Sequence, residues 1–76
     1  MQRKFKTLDI HPILAKGVEP FSKIRETIDT LRSDEGLSVI APFLPSPLIE
    51  KLGSEGFRSR VERHGGSWIT HFWREQ

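Results

Sequence analysis

The stretch that decides the fold is LDIHPILAKGVEPFSKIRETIDTL, residues 8–31. It opens as a short strand, passes through a partly apolar loop at residues 11–18, and reaches Pro20 at the start of an amphipathic segment. Proline suits the first turn of a helix, where its missing N–H costs nothing. Four apolar side chains then recur at the spacing of one helix face: Phe21, Ile24, Ile28 and Leu31. The stretch therefore predicts a strand, an ordered loop and an amphipathic helix.

Further strand and helix signals follow toward the C-terminus. Residues 37–41 form an apolar run typical of a strand, and the prolines behind it break the ladder. Ser46-Pro47 has the pattern of a hydroxyl cap followed by a proline in the first helical turn, and Gly56 suits the left-handed end of that helix. Residues 57–62 and 68–74 then read as two strands around a turn at residues 64–67.

The element order is therefore βαβαββ. Right-handed crossovers place both helices on the same side of one sheet. The predicted fold class is α+β, a two-layer α/β sandwich with a four-stranded mixed sheet and two helices on one face. The predicted core consists of Leu8, Ile10, Ile24, Ile28, Leu31, Val39, Leu48, Leu52, Phe57, Val61, Trp68 and Phe72.

Composition limits the class of protein. The chain of 76 residues, with 36% hydrophobic and 29% charged side chains, fits a single small globular domain over residues 1–76, with residues 1–4 flexible. No run approaches the roughly 20 apolar residues of a membrane span, and the N-terminus lacks the apolar segment of a secretory signal. The absence of cysteine excludes disulfides, thiolate metal sites and cysteine nucleophiles. We expect a cytoplasmic protein that does not bind membranes.

The titratable residues show no pattern typical of catalysis. The three histidines lack the spacing of a metal site, and no serine or threonine stands in a recognisable nucleophile motif. We therefore expect no catalytic residue, no metal, no cofactor and no enzymatic activity. A net charge of +2 is mildly basic, but glutamates dilute the C-terminal arginines, so a nucleic-acid partner is not expected.

Four short motifs in this order resemble the sulfur-carrier proteins of the TusA/SirA type. They are Leu8-Asp9, Glu19-Pro20-Phe21, Gly56-Phe57 and a tryptophan, Trp68, that opens the last strand. The resemblance covers about residues 7–75 and implies the same two-layer fold. In that family a cysteine two residues before the Glu-Pro pair carries a persulfide.

The residue at that cysteine position is Gly17 in this chain, and Val18 follows it. The chain therefore resembles most a cysteine-less branch of the family that is known only as a domain of unknown function. The resemblance implies that the family's sulfur chemistry is impossible here.

Two regions are candidate partner-binding sites. The first is Gly17, Val18 and Glu19, which precede a helix N-terminus and form either an anion or partner contact or a structural turn. The second is the last strand, where large side chains occupy both parities. Ile69, His71 and Trp73 are predicted to point away from the helices, beside Arg58 and Arg60. Alternatively, Ile69 and Trp73 shield each other under the arginine stems.

These features predict a small binding or regulatory module on a sulfur-carrier-like scaffold, acting on a protein or a small molecule as a monomer or weak homodimer. One alternative is a docking component of a sulfur-relay or redox system that carries no sulfur itself. Another is weak nucleic-acid binding through Arg58, Arg60, Arg63 and Trp73.

Overall fold

The computed structural model describes residues 4–75, in which four strands and three helices follow one another. They are β1 (Lys4–Asp9), α1 (His11–Ala15), α2 (Phe21–Asp29), β2 (Glu35–Ala41), α3 (Ser46–Ser54), β3 (Phe57–His64) and β4 (Ser67–Arg74). The segment predicted to be flexible, residues 1–4, lies outside the described residues except for Lys4. The Lys4 N–H donates to the Asp34 carbonyl oxygen at 3.2 Å, so β1 begins at that residue.

The strands form one mixed sheet in the order β1-β2-β4-β3. β1 is parallel to β2, and β4 is antiparallel to both of its neighbours. Apolar residues of α2 and α3 share one core with the alternate residues of β2 and β4, and Ile13 and Leu14 of α1 pack against the same core. The helices therefore cover one face of the sheet, which confirms the predicted two-layer fold.

The core confirms most of the predicted positions. Its buried apolar side chains are Ile10, Ile24, Ile28, Leu37, Val39, Ala41, Leu48, Leu52, Phe57 and Phe72. Leu8, Leu31 and Trp68 are only half-buried. Val61 is 38% exposed, so its placement in the core was wrong. It lies in the middle of edge strand β3, where the helices do not cover it.

The ends of several elements differ from the prediction, because prolines and local hydrogen bonds determine where a helix begins. Residues 11–18 contain the short helix α1, because Pro12 suits its first turn and the Leu14 N–H donates to the Ile10 carbonyl oxygen at 2.9 Å. Helix α2 begins at Phe21, one residue later than predicted, and the Phe21 side chain is 47% exposed. The predicted capping role of Ser46 is also wrong. Ser46 is the first residue of α3 and makes no side-chain cap, because the helix begins one residue early and Pro45 occupies the capping position.

Two glycines allow tight reversals. Gly56 has φ +93° one residue beyond the C-cap of α3, Glu55, as predicted for the end of that helix. Gly65 has φ +57° in the two-residue turn that joins His64 to Ser67. This turn holds β3 and β4 in the register that builds the face described next.

Candidate functional site

The face of the sheet opposite the helices, called the outer face below, has no covering layer among residues 4–75. Strand register assigns its side chains. One rung of the sheet joins Thr7, Ser38, His71 and Arg60, and a neighbouring rung joins Asp9, Ile40, Ile69 and Glu62. Phe5 lies opposite Gly36, and Arg58 lies opposite Trp73. The outer face therefore carries aromatic, basic, acidic and hydroxyl groups together.

An aromatic cluster of Phe5, His71 and Trp73 crosses this face. The Phe5 ring meets the His71 ring edge-on with centroids 5.6 Å apart, and it meets the Trp73 ring at 76° with centroids 6.4 Å apart. Gly36 makes the cluster possible, because a Cβ at this position would lie 2.5 Å from Cε2 of Phe5. The missing side chain lets a ring from β1 reach across β2 to β4.

A hydrogen-bond chain runs through His71. Its Nδ1 lies 2.7 Å from Oγ of Ser38, and its Nε2 lies 3.2 Å from Oε2 of Glu62. The hydrogen bond from His71 lowers the pKa of Glu62, and the neighbouring charges of His71, His64 and Arg60 act in the same direction, against partial desolvation. An ionised carboxylate only accepts hydrogen bonds, so Nε2 carries the proton. In the neutral ring, Nδ1 then accepts from the Ser38 hydroxyl.

These groups line a groove of about 350 Å³, formed by Phe5, Ser38, Arg60, Glu62, His71 and Trp73. This set is called the outer groove below. Ser38 is only 6% exposed and lies at its floor, whereas Phe5 is 40% exposed. Arg60 forms no ion pair with any residue between 4 and 75, and Arg58 pairs with Glu75 at 3.7 Å. The outer groove thus combines two aromatic walls with both hydrogen-bond donors and hydrogen-bond acceptors.

The structure brings together five of the predicted partner-binding residues. Arg58, Arg60, Ile69, His71 and Trp73 all lie on the outer face, where Ile69, His71 and Trp73 are half-buried. Phe5 and Ser38 were not predicted from the sequence, and Glu62 was predicted to lie beside Ile69, His71 and Trp73 but not to bind a partner. Their parity in β1, β2 and β3 was readable, but their convergence depends on which strands are neighbours, and the order β1-β2-β4-β3 was not predicted.

The other predicted site lies apart, on the helix side of the chain. Gly17 has φ +73°, and Val18 is 54% exposed. The Glu19 carboxylate accepts hydrogen bonds from the N–H of Phe21 and, at 3.2 Å, from the N–H of Ser22. These hydrogen bonds outweigh partial desolvation and lower the pKa of Glu19. The donors that would bind an external anion are therefore occupied by the chain's own carboxylate.

A second serine–histidine–carboxylate chain lies where β1 ends. Nδ1 of His11 is 2.7 Å from Oδ1 of Asp9, and Nε2 of His11 is 3.4 Å from Oγ of Ser67. The pKa of Asp9 is lowered, first by the hydrogen bond from the His11 N–H and then by the His11 ring. This contact ties the β3–β4 turn to the start of α1. No group of three or more His, Asp or Glu side chains within residues 4–75 could hold a metal ion.

Comparisons with known proteins identify a family for this chain and nothing beyond it. No curated protein and no solved structure matches it significantly. None of the helices that the structure describes is long and apolar enough to cross a membrane. Residues 7–74, nearly the whole chain, match the family described as "Uncharacterized conserved protein (DUF2249)". The chain therefore belongs to the DUF2249 family.

Proposed function

We propose that this protein is a small non-catalytic binding module and that the outer face of its sheet is the binding surface. The observation that carries the proposal is the outer groove, in which aromatic rings from two strands and polar groups from three strands converge on an uncovered face. Small-molecule and peptide sites commonly combine apolar walls with a few convergent polar groups. In this proposal the protein is cytoplasmic and is a monomer or a weak dimer. It binds a small molecule or a protein on the outer face.

The geometry around Ser38 supports binding rather than catalysis. A serine nucleophile needs an activating base and also donors aimed at the developing oxyanion. His71 is positioned as a base, but Ser38 is almost fully buried and stands on β2, which is paired with strands on both sides. The backbone amides of β2 are therefore engaged in the sheet ladder. We expect Ser38→Ala to leave any hydrolysis of a p-nitrophenyl ester at the wild-type rate, whereas a loss of activity would contradict the non-catalytic role.

Site-specific photo-cross-linking in the source cells tests the binding surface without knowledge of the partner. A benzophenone amino acid replaces Thr7 or Arg58 on the outer face, and Glu26 or Glu50 serve as matched exposed controls on the helices. We expect adducts of defined mass from the outer-face positions and none from the helix positions. Adducts confined to the helix positions, or none at any position, would reject the outer face as the binding surface.

A second candidate function is docking in a sulfur-relay or redox system without sulfur chemistry of the protein's own. Exposed Val18 and Phe21 favour it, because they closely follow Gly17, the position at which the resembling sulfur carriers have their cysteine. Phe21 also borders an apolar groove of about 330 Å³ between α2 and α3. A Val18→Ser/Phe21→Ser variant should then lose binding to a sulfurtransferase-type protein, whereas Arg60→Gln should keep it.

Nucleic-acid binding is the least supported alternative. Asp9 and Glu62 share the outer face with Arg58 and Arg60, so the basic groups form no continuous stripe. Phosphate contacts would give a steep dependence of log affinity on log salt concentration. We expect a flat dependence for oligonucleotides.

A further inference from the structure

We propose that the outer groove binds a neutral, planar heteroaromatic ring whose edge carries hydrogen-bond acceptors beside N–H donors, the chemistry of a guanine-type base. Arg60 would donate to the acceptors, Glu62 would accept from the N–H groups, and Phe5 and Trp73 would hold the ring plane. This inference rests on the proposed function, because it names the ligand class for the same face.

Size and shape favour a single flat ring system. The groove of about 350 Å³ is at the small end of the range for small-molecule sites, about 300–1,000 Å³. The rings of Phe5 and Trp73 are nearly perpendicular, at 76°. A flat ligand can therefore stack on one ring and meet the other edge-on, the two arrangements that aromatic pairs prefer.

The charges that line the groove favour a neutral ligand. They are one guanidinium, Arg60, and one carboxylate, Glu62, two residues apart on the same face of β3. The remaining charged groups of the outer face are engaged elsewhere: Arg58 with Glu75 at 3.7 Å, and Asp9 with His11 at 2.7 Å. Because the two lining charges cancel, a ligand with net charge gains little over a neutral one.

Unused hydrogen-bonding capacity in the groove defines the ligand's edge. The contacts of Glu62 with His71 and His64 use only Oε2, so Oε1 accepts no hydrogen bond from residues 4–75. Arg60 likewise has no ion-pair partner in that part of the chain. A guanidinium binds two adjacent acceptors of a purine bidentately, and a carboxylate accepts from ring and amino N–H groups. A guanine-type ring offers both patterns on adjoining edges: the adjacent acceptors N7 and O6 on one edge, and the N1–H and amino N–H donors on the next.

The test uses guanosine as the probe, with adenosine as the comparison, because adenosine replaces the acceptor at position 6 by a donor. Isothermal titration calorimetry measures affinity, and amide chemical shifts of the labelled protein locate binding. We expect guanosine to bind at least about tenfold more tightly than adenosine and to shift the amides of Ser38, Arg60 and His71.

Two arginines of β3 provide a matched pair of variants. Arg60 and Arg63 lie on opposite faces of the strand, and Arg63 contacts Trp68 on the helix side. Arg60→Gln should weaken guanosine binding about tenfold, whereas Arg63→Gln should change the affinity for guanosine by less than about twofold. Glu62→Gln should also weaken binding, with folding checked by circular dichroism.

Several results would overturn this inference. They are no guanosine binding at millimolar concentration, equal affinity for adenosine, equal effects of the two arginine variants, or shifts confined to the helices. Much tighter, salt-sensitive binding of guanosine monophosphate would show an anion site instead. If guanosine does not bind but cross-links still form from the outer face, the proposed ligand class is wrong and the proposed function stands. If cross-links are absent from that face, the proposed function itself fails.

Discussion

At the residue scale, Thr70 stands out in the interior. It is fully buried on the helix side of β4, opposite Val39 and Val61, and its hydroxyl oxygen has no hydrogen-bond partner within residues 4–75. A buried polar group without a partner costs about 1–3 kcal/mol. A hydroxyl on this side of the sheet therefore reduces the stability of the fold.

We predict that Thr70→Val raises the free energy of unfolding by about 1 kcal/mol, because valine keeps the shape and removes the unsatisfied hydroxyl. Urea unfolding measures the change. Thr7→Val on the exposed outer face is the control, and its free energy of unfolding should stay within about 0.5 kcal/mol of the wild-type value. A destabilised Thr70→Val would mean that the hydroxyl has a partner in solution.

Gly36 is the second residue whose identity follows from its neighbours. An added Cβ would lie 2.5 Å from the Phe5 ring and 2.6 Å from the carbonyl oxygen of Phe72. The ring can move, but the carbonyl belongs to the sheet backbone. We predict that Gly36→Ala lowers the free energy of unfolding by roughly 1–3 kcal/mol. The loss should persist in a Phe5→Ala background, and full rescue by Phe5→Ala would show that only the ring contact matters.

Only part of the outer face could be predicted at the level of single residues. The double apolar parity of β4 identified Ile69, His71 and Trp73, because a strand covered on one face should alternate more cleanly. Ser38 was hidden in a run that reads as continuous core. Its hydrogen bond with His71 joins positions 33 residues apart in sequence, and no local pattern encodes such a pairing.

At the element scale, helix α2 depends on Glu19 for its start. The residue in the capping position is Pro20, which has no side-chain donor or acceptor. Glu19 instead accepts from the first amides of the helix, and its negative charge lies at the positive end of the helix dipole. The Ser22 hydroxyl adds a further hydrogen bond at 3.0 Å.

We predict that Glu19 contributes an acid-sensitive part of the stability. Its folded-state pKa is lowered from the ordinary value of 4.5, so its contribution is fully present above pH 4.5 and is lost as pH falls through the lower folded-state pKa. Glu19→Gln should destabilise the protein at neutral pH. The gap between wild type and variant in urea unfolding should narrow below pH 4.5. A gap that does not change with pH would contradict the capping role.

Periodicity predicted the existence of the two longer helices and all four strands, but not their ends. The helix stripe from Phe21 to Leu31 extends two residues beyond the helix, because α2 ends at Asp29, and its first member, Phe21, is exposed. The apolar loop before it became α1 because Pro12 and the Asp9 side chain fix its first turn. These ends depend on single hydrogen bonds, which hydrophobic patterns do not register.

At the scale of the whole molecule, element order and crossover handedness were enough to predict the layers. The sequence also indicated that Ile69, His71 and Trp73 form a patch on the uncovered face. The groove itself needed the strand order, the missing side chain of Gly36 and the bond between Ser38 and His71. A small domain of this kind has a single core, and its stability is correspondingly thin.

That single core makes the fold sensitive to any cavity in it. At about 0.05–0.15 kcal/mol per residue, a domain of this size has a total stability of roughly 4–11 kcal/mol. Ile28 is 4% exposed between the helix layer and the sheet, so Ile28→Ala should cost roughly 2–5 kcal/mol by leaving a cavity. The variant should therefore unfold at a lower temperature and a lower urea concentration than the wild type, as circular dichroism can show. Val61→Ala is the matched control. The sequence placed Val61 in the same core, but its 38% exposure predicts a loss below about 1 kcal/mol. Equal losses at the two positions would mean that helices cover β3 more fully than the structure shows.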